Sequence, residues 1–352
     1  GGWRRRLNVI AGVGGFGRMQ DWALESVTQR FLSINVPAEV DLHVTYANPN
    51  SAFCPPPTKL RFVIRERFSE GALAVAYLGH GSRLRLDRMR YEGFKYDIFT
   101  EEDVPYLEAR RGAPIAFLVC CNAGQFDGAP DCLGEAMFKE KGGPVAVIAS
   151  SRVSMPYGNA AFAVEMLRTL YDPAQPTLGE AMRVAKRRTY PDQPEDEGRV
   201  FLETVGTVYQ PDVALRARER LEHLYLFNLL GDPCMRLPVP GALKIAAKRD
   251  GLRVQATIQA PAAGLLVVET VKPRTLSRGA RAGNRPEQFE ETYRKANVGE
   301  LTRNKVSLDQ PRSVVVDIEL PANTAPGTYA LRAYLKGATG AWMGSTTLAV
   351  GR

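Results

Sequence analysis

The chain has 352 residues, 45% hydrophobic and 24% charged, the balance of an ordinary globular protein able to bury a core without disulfides or metals. Its formal net charge is +8, but Lys and Arg are interleaved with Asp and Glu, with no aromatic–basic RNA signature and no zinc-finger spacing. These features argue against a nucleic-acid partner. No apolar run reaches the ~20 residues of a membrane helix, so no transmembrane segment is expected.

Five cysteines, Cys54, Cys120, Cys121, Cys132 and Cys234, make an odd set in a long chain, which is no disulfide framework. The adjacent pair Cys120–Cys121 cannot chelate a metal as a CxxC motif does, so at least one free thiol is expected. The opening Gly1-Gly2-Trp3-Arg4-Arg5-Arg6 lacks the apolar stretch of a signal peptide and runs almost directly into a strand. It reads as the start of a piece whose natural N-terminus lies upstream.

The first part of the chain alternates strand and helix. Leu7–Val13 reads as an apolar strand ending in glycines, Met19–Leu32 as a helix, Val40–Tyr46 as a second strand, and Pro56–Phe68 as a helix opened by prolines. Ala72–Leu78 is a buried strand that stops at Gly79-His80-Gly81-Ser82. A polar connection with one short helix near Glu101–Arg110 leads to the strand Pro114–Val119, which stops at Cys120-Cys121-Asn122. A helix begins near Asp131, Pro144–Ala149 is a fifth strand, and helical stretches follow near Asn159–Tyr171, Leu178–Arg188 and Ala214–Leu230. Short apolar strands alternating with helices predict an α/β fold, a mostly parallel sheet with helices on both faces. After Pro238-Val239-Pro240 the pattern changes. Leu243–Ala247, Leu252–Ile258, Gly264–Thr270, Ser313–Leu320, Thr328–Tyr334 and Thr346–Val350 are short alternating segments between turns, the signature of an all-β sandwich. Val271–Arg312, charged and poor in strand signals, reads as a long loop or insertion. The expected domains are residues 1–238 and 239–352.

Only three histidines are present. His43, inside a strand, and His223, inside a helix, read as packed or surface side chains. His80 directly follows an apolar strand between two glycines, and ligands of open parallel sheets bind beyond the carboxyl ends of strands. Cys121 stands just past the next strand, in Cys121-Asn122-Ala123-Gly124-Gln125-Phe126. If those strands are neighbours, both side chains emerge on one rim. An imidazole there can take the proton of a thiol or hold the ion pair. The amides of Gly81 and Cys121 can stabilise the oxyanion that forms after attack. The same residues also fit a buried cysteine behind a turn histidine, with no chemistry.

The segment Tyr77-Leu78-Gly79-His80-Gly81-Ser82, followed about forty residues later by Cys121-Asn122-Ala123-Gly124-Gln125-Phe126-Asp127, resembles the gingipain family of clan CD cysteine peptidases. Further matches are Gly134-Glu135-Ala136, Ala149-Ser150-Ser151-Arg152 and Asn228-Leu229-Leu230-Gly231-Asp232-Pro233. The resemblance implies a caspase–hemoglobinase fold and an endopeptidase acting on peptide or protein substrates through an acyl-enzyme. It also implies an immunoglobulin-like domain after the last motif, and an extracellular or cell-envelope location. It selects Cys121, not Cys120, as the nucleophile, because only Cys121 has Gly124 and Phe126 at the family's spacing. The Gln-Ala-Cys pattern of caspases proper is absent.

Enzymes of this family often cleave after Arg or Lys with an acid in the pocket. Asp21, just past the first glycine loop, is the leading candidate, with Asp87 and Asp127 as alternatives. Ser154 and Met155 fall where the family builds a pocket wall, and Arg152 beside them could favour an acidic residue. Gly12-Val13-Gly14-Gly15-Phe16-Gly17 satisfies a dinucleotide pattern, but the second strand ends in Thr45-Tyr46-Ala47-Asn48 without the required acid, so the loop reads as part of the site's rim. No cofactor is required; Asp192–Glu197 could collect a structural calcium ion, though without EF-hand spacing it reads first as a solvated loop. Two other readings compete: a binding or adhesion protein using the peptidase fold as scaffold, and a peptidase or transpeptidase that processes secretion signals. The sequence leaves the oligomeric state open.

Overall fold

The computed structural model describes residues 2–13, 32–272, 283 and 285–351, without the side chains of 208 and 209. The expected helix Met19–Leu32, except for its last residue, and most of the glycine loop before it lie outside the described residues.

Six strands form the first sheet: β1 (Arg6–Ala11), β2 (Asp41–Tyr46), β3 (Ala74–Leu78), β6 (Ile115–Val119), β7 (Ala146–Ser150) and β8 (Phe227–Leu230). A small hairpin, β4 (Arg88–Tyr91) with β5 (Phe94–Asp97), lies between β3 and β6 in the chain. The order across the sheet is β2-β1-β3-β6-β7-β8. The first five run parallel, and β8 pairs antiparallel with β7.

The central strands β3, β6 and β7 read as continuous apolar runs because both faces are covered. Along β6, Ile115 and Phe117 enter one core while Ala116 and Leu118 enter the other. On the second face lie α1 (Leu60–Ser69) and α2 (Leu133–Lys139), through Leu60, Ile64, Phe68, Leu133 and Met137. On the first face pack α3 (Pro156–Leu170) and α4 (Leu178–Thr189). Two further helices among the described residues are α5 (Glu197–Tyr209) and α6 (Val213–Leu226). Asp212 caps α6 by accepting the amides of Ala214 and Leu215.

Several expectations need correction. The stretch read as one helix to Leu230 stops at Leu226, and Phe227–Leu230 is a strand. Four residues, Phe-Asn-Leu-Leu, are too few to show a period of their own, and the edge of β7 recruits them. The segment near Glu101–Arg110 is a 3-10 helix, Glu101–Tyr106, with Pro105 inside it. The Val271–Arg312 loop contains α7 (Pro286–Asn297) and the edge strand β13 (Glu300–Leu308), whose Arg303 and Lys305 hide its strand character.

After Pro240 come β9 (Gly241–Ala242), β10 (Lys244–Asp250), β11 (Arg253–Ala260), β12 (Gly264–Val271), β14 (Arg312–Glu319), β15 (Gly327–Lys336) and β16 (Ala341–Val350). Two sheets, β10-β11-β14 and β13-β12-β15-β16-β9, enclose one apolar core, as the alternating segments predict. Tyr334, Ala341 and Met343 leave that core and join the one under α3 and α4.

The two parts are also bridged by charge. Glu269 of β12 is fully buried and meets Arg5 at 3.0 Å, Arg303 at 2.8 Å and Arg332 at 2.7 Å. Arg332 continues to Asp41 of β2 at 3.1 Å and to the carbonyl of Val40. Burial alone would raise the Glu269 carboxyl; the hydrogen bond from Arg5 and the charges of Arg332, Arg5 and Arg303 overcome it and lower the value from 4.5 to about 2. Its folded value is the lower one, so its ionisation stabilises the protein above the ordinary glutamate range, and this contribution is lost as pH falls from about 4.5 towards about 2. Glu269→Ala should cost about 3–5 kcal/mol in urea unfolding at neutral pH, since it strands buried arginines. It should also flatten the loss of stability across that acid window. Unchanged stability and acid response would reject the bridge.

Candidate active site

The last paired residues of the adjacent strands β3 and β6 are Leu78 and Val119. The Gly79 amide still donates to the Val119 carbonyl at 3.3 Å. His80 and Cys121 each stand two residues beyond that last pair, at the same level of the sheet. Strand alternation sends Cys120 inward, where it is fully buried beside Tyr77 and Ala149 and burial pushes its thiol well up. Burial likewise raises the thiol of Cys54, to about 12, and that of Cys132. Cys121 is only partly buried.

The Cys121 thiol lies against Ser154. The Ser154 amide donates to Sγ at 3.4 Å, Sγ approaches the Ser154 carbonyl at 3.5 Å, and Oγ is 3.9 Å away. The turn after Cys121 is stitched to the same segment: Asn122 donates to the Arg152 carbonyl at 3.1 Å and Gly124 to that of Ser150 at 2.9 Å. A side chain on Gly124 would stand 3.0 Å from the Ala149 carbonyl, so this close approach requires glycine. Gly81 packs equally tightly, with an added Cβ 2.5 Å from Cys120 Sγ and 3.1 Å from the Cys121 carbonyl. The His80 loop and the cysteine loop are therefore in backbone contact.

The backbone of His80 is anchored from below. Tyr77, fully buried, donates its hydroxyl to the His80 carbonyl at 2.7 Å. The His80 side chain is exposed. Burial raises the Asp87 carboxyl, while the Arg88 amide and the charge of His80 draw it down, so Asp87 lies within the imidazole's field.

The remaining candidates divide. Ser154 is buried beside the thiol, and Met155 exposes its side chain next to it in sequence. Arg152 and Asp127 form a bidentate pair at 2.7 and 3.2 Å, both about half exposed, so each neutralises the other. Asp21 lies outside the described residues. In the Asp192–Glu197 segment, Asp192 pairs with Arg220, and Asp196 pairs with Arg168 and caps α5, so calcium there would have to displace arginines. His43 is packed between Arg67 and Tyr293, and burial, then Arg67, lowers it to about 3. His223 is fully buried, and its Nε2 accepts the Met155 amide at 3.1 Å. No local pattern in the sequence marks that link, because its partners are 68 positions apart.

The profile of peptidase family C25 matches residues 1–238. That match makes the protein a cysteine-type peptidase, a hydrolase of peptide bonds. The chain belongs to peptidase family C25, the gingipain family. Among solved structures, it is similar to the Arg-specific cysteine proteinase gingipain R, at 14% identity and a TM-score of 0.43, covering 99% of this chain and 67% of that one. It is also similar to the complex of Porphyromonas gingivalis RgpB pro- and mature domains, at 13% identity and a TM-score of 0.44, covering 97% of this chain and 68% of that one. A search of curated proteins finds no match. Among the described residues, no helix is long and apolar enough to cross a membrane.

Tyr77→Phe should cost about 1 kcal/mol in urea unfolding, because the His80 carbonyl loses its part-buried hydrogen bond to the Tyr77 hydroxyl. Unchanged stability would show that the hydroxyl does not anchor the His80 loop.

Proposed function

We propose that the protein is a cysteine endopeptidase in which Cys121 is the nucleophile and His80 its acid–base partner. The observation that carries this reading is the pairing of Leu78 with Val119, which sets His80 and Cys121 two residues beyond adjacent parallel strands. The thiolate attacks the scissile carbonyl, and the carbonyl oxygen takes the negative charge beside the amides of Gly81 and Cys121. Collapse of that intermediate breaks the C–N bond; the imidazolium of His80 gives its proton to the departing amine, leaving a thioester on Cys121. Water, deprotonated by His80, then hydrolyses the thioester and restores the thiol.

Ser154 and Met155 form one wall of the substrate cleft in this reading. The mutual neutralisation of Arg152 and Asp127 removes both as strong determinants of a charged substrate side chain. The peptidase unit spans residues 1–238, and residues 239–352 form an immunoglobulin-like sandwich that braces it. Family membership supports an extracellular or cell-envelope workplace.

The test is a positional-scanning peptide library presented to the wild type, Cys121→Ala and His80→Ala. Both variants should lose cleavage by at least about a thousand-fold, and the wild-type profile names the residue preferred before the cut. Cleavage that survives in both would reject the pair.

A further inference from the structure

We propose that His223, far from the rim in sequence, is a positioning residue of this peptidase that holds the Ser154–Met155 backbone against the Cys121 thiol. The inference rests on the reading of Cys121 as nucleophile and adds a residue to its support.

The hydrogen-bond partners dictate the tautomer of His223. Nδ1 lies 2.6 Å from the Glu219 carbonyl, which can only accept, so Nδ1 carries the proton. Nε2 is then a bare acceptor, and it receives the Met155 amide, which can only donate. Burial holds this imidazole below its ordinary range, against the opposing pull of Glu219 and Glu222, and so keeps it in the neutral form the geometry needs. The ring is also packed near Phe227 at 6.1 Å between centroids.

The start of α3 explains why such a partner is present. Met155 occupies its N-cap and has no oxygen with which to cap the helix, and Pro156 follows it. The orphan amides of this turn are answered from α6: Met155 by His223, and Gly158 by the Glu219 carboxylate at 3.1 Å. α6 therefore fixes the chain just beyond Ser154. The amide and hydroxyl of Ser154 face Cys121 Sγ at 3.4 and 3.9 Å, and both can donate to a thiolate, two donors against the one Ser154 carbonyl at 3.5 Å that accepts from the thiol. Releasing Met155 frees Ser154 to drift and removes those donors from the sulfur.

The test compares wild type, His223→Leu, His223→Gln and Met155→Pro. Iodoacetamide alkylation is followed on the peptide that carries Cys121, at about pH 7 and at about pH 10, where a free thiol is ionised. His223→Leu should alkylate roughly five-fold more slowly at the lower pH and match wild type at the higher, because what it loses is support for the thiolate. His223→Gln, whose amide oxygen can accept the Met155 N–H, should remain near wild type. Met155→Pro removes that N–H without touching the imidazole and should copy His223→Leu; it carries the test if His223→Leu does not fold. Wild-type alkylation at both pH values in the Leu and Pro variants, or an equal slowing at both, would overturn the proposal. Alkylation does not depend on turnover. Failure of the nucleophile assignment would appear separately, as cleavage that survives Cys121→Ala.

Discussion

The parallel pairing of β3 with β6 is the constraint on which the site depends. Parallel neighbours end on the same edge of a sheet, so two loops leave the core side by side. Their contact is made by backbone, with Gly81 lying directly on Cys120 and Cys121. Adjacent thiols then meet opposite fates through the two-residue period of a strand. Cys120 is enclosed and held protonated by its surroundings, while Cys121 reaches the rim. Strand geometry, not any difference in side-chain chemistry, separates an inert thiol from an accessible one.

A second layer of order comes from contacts distant in the chain. The loop Ser150–Ser154 is sewn to the cysteine turn on one side and to the C-terminal end of α6 on the other, where Ser151 donates to the Leu226 carbonyl at 2.9 Å. The antiparallel strand β8 follows immediately and closes the edge of β7. At the opposite edge, Asn297 of α7 donates to the Val44 carbonyl and accepts the Val44 amide, at 2.9 and 2.7 Å, as a neighbouring strand would. Tyr293 adds a bond to Thr45 at 2.7 Å. Both edges of the sheet are thus occupied by later parts of the chain.

What the sequence discloses follows from how far each signal reaches. Strands β3, β6 and β7 are legible because burial on both faces writes a nearly uninterrupted apolar run. His80 and Cys121 are legible because each interrupts such a run at its end. Phe227–Leu230 is illegible as a strand, since its conformation is decided by the vacant side of β7, about eighty positions earlier. The elements α7 and β13 are hidden by the charges that suit an edge and a solvated face. The arginine cluster around Glu269 joins residues 264 positions apart, and no periodicity records it. His223 looks like an ordinary helical residue until Met155 is set beside it.

The side-chain pairing by Asn297 has a consequence for the architecture as a module. A sandwich appended by a simple linker could be lost, duplicated or exchanged without harm to its neighbour. Here the helix inserted between β12 and β13 satisfies the amide and the carbonyl of Val44 on β2. A chain cut after Pro240 would strip these two groups of their partners, and unpaired edge groups are what invites pairing with another copy. The C-terminal portion therefore does more than extend the chain: it completes the hydrogen bonding of an edge strand of the peptidase sheet.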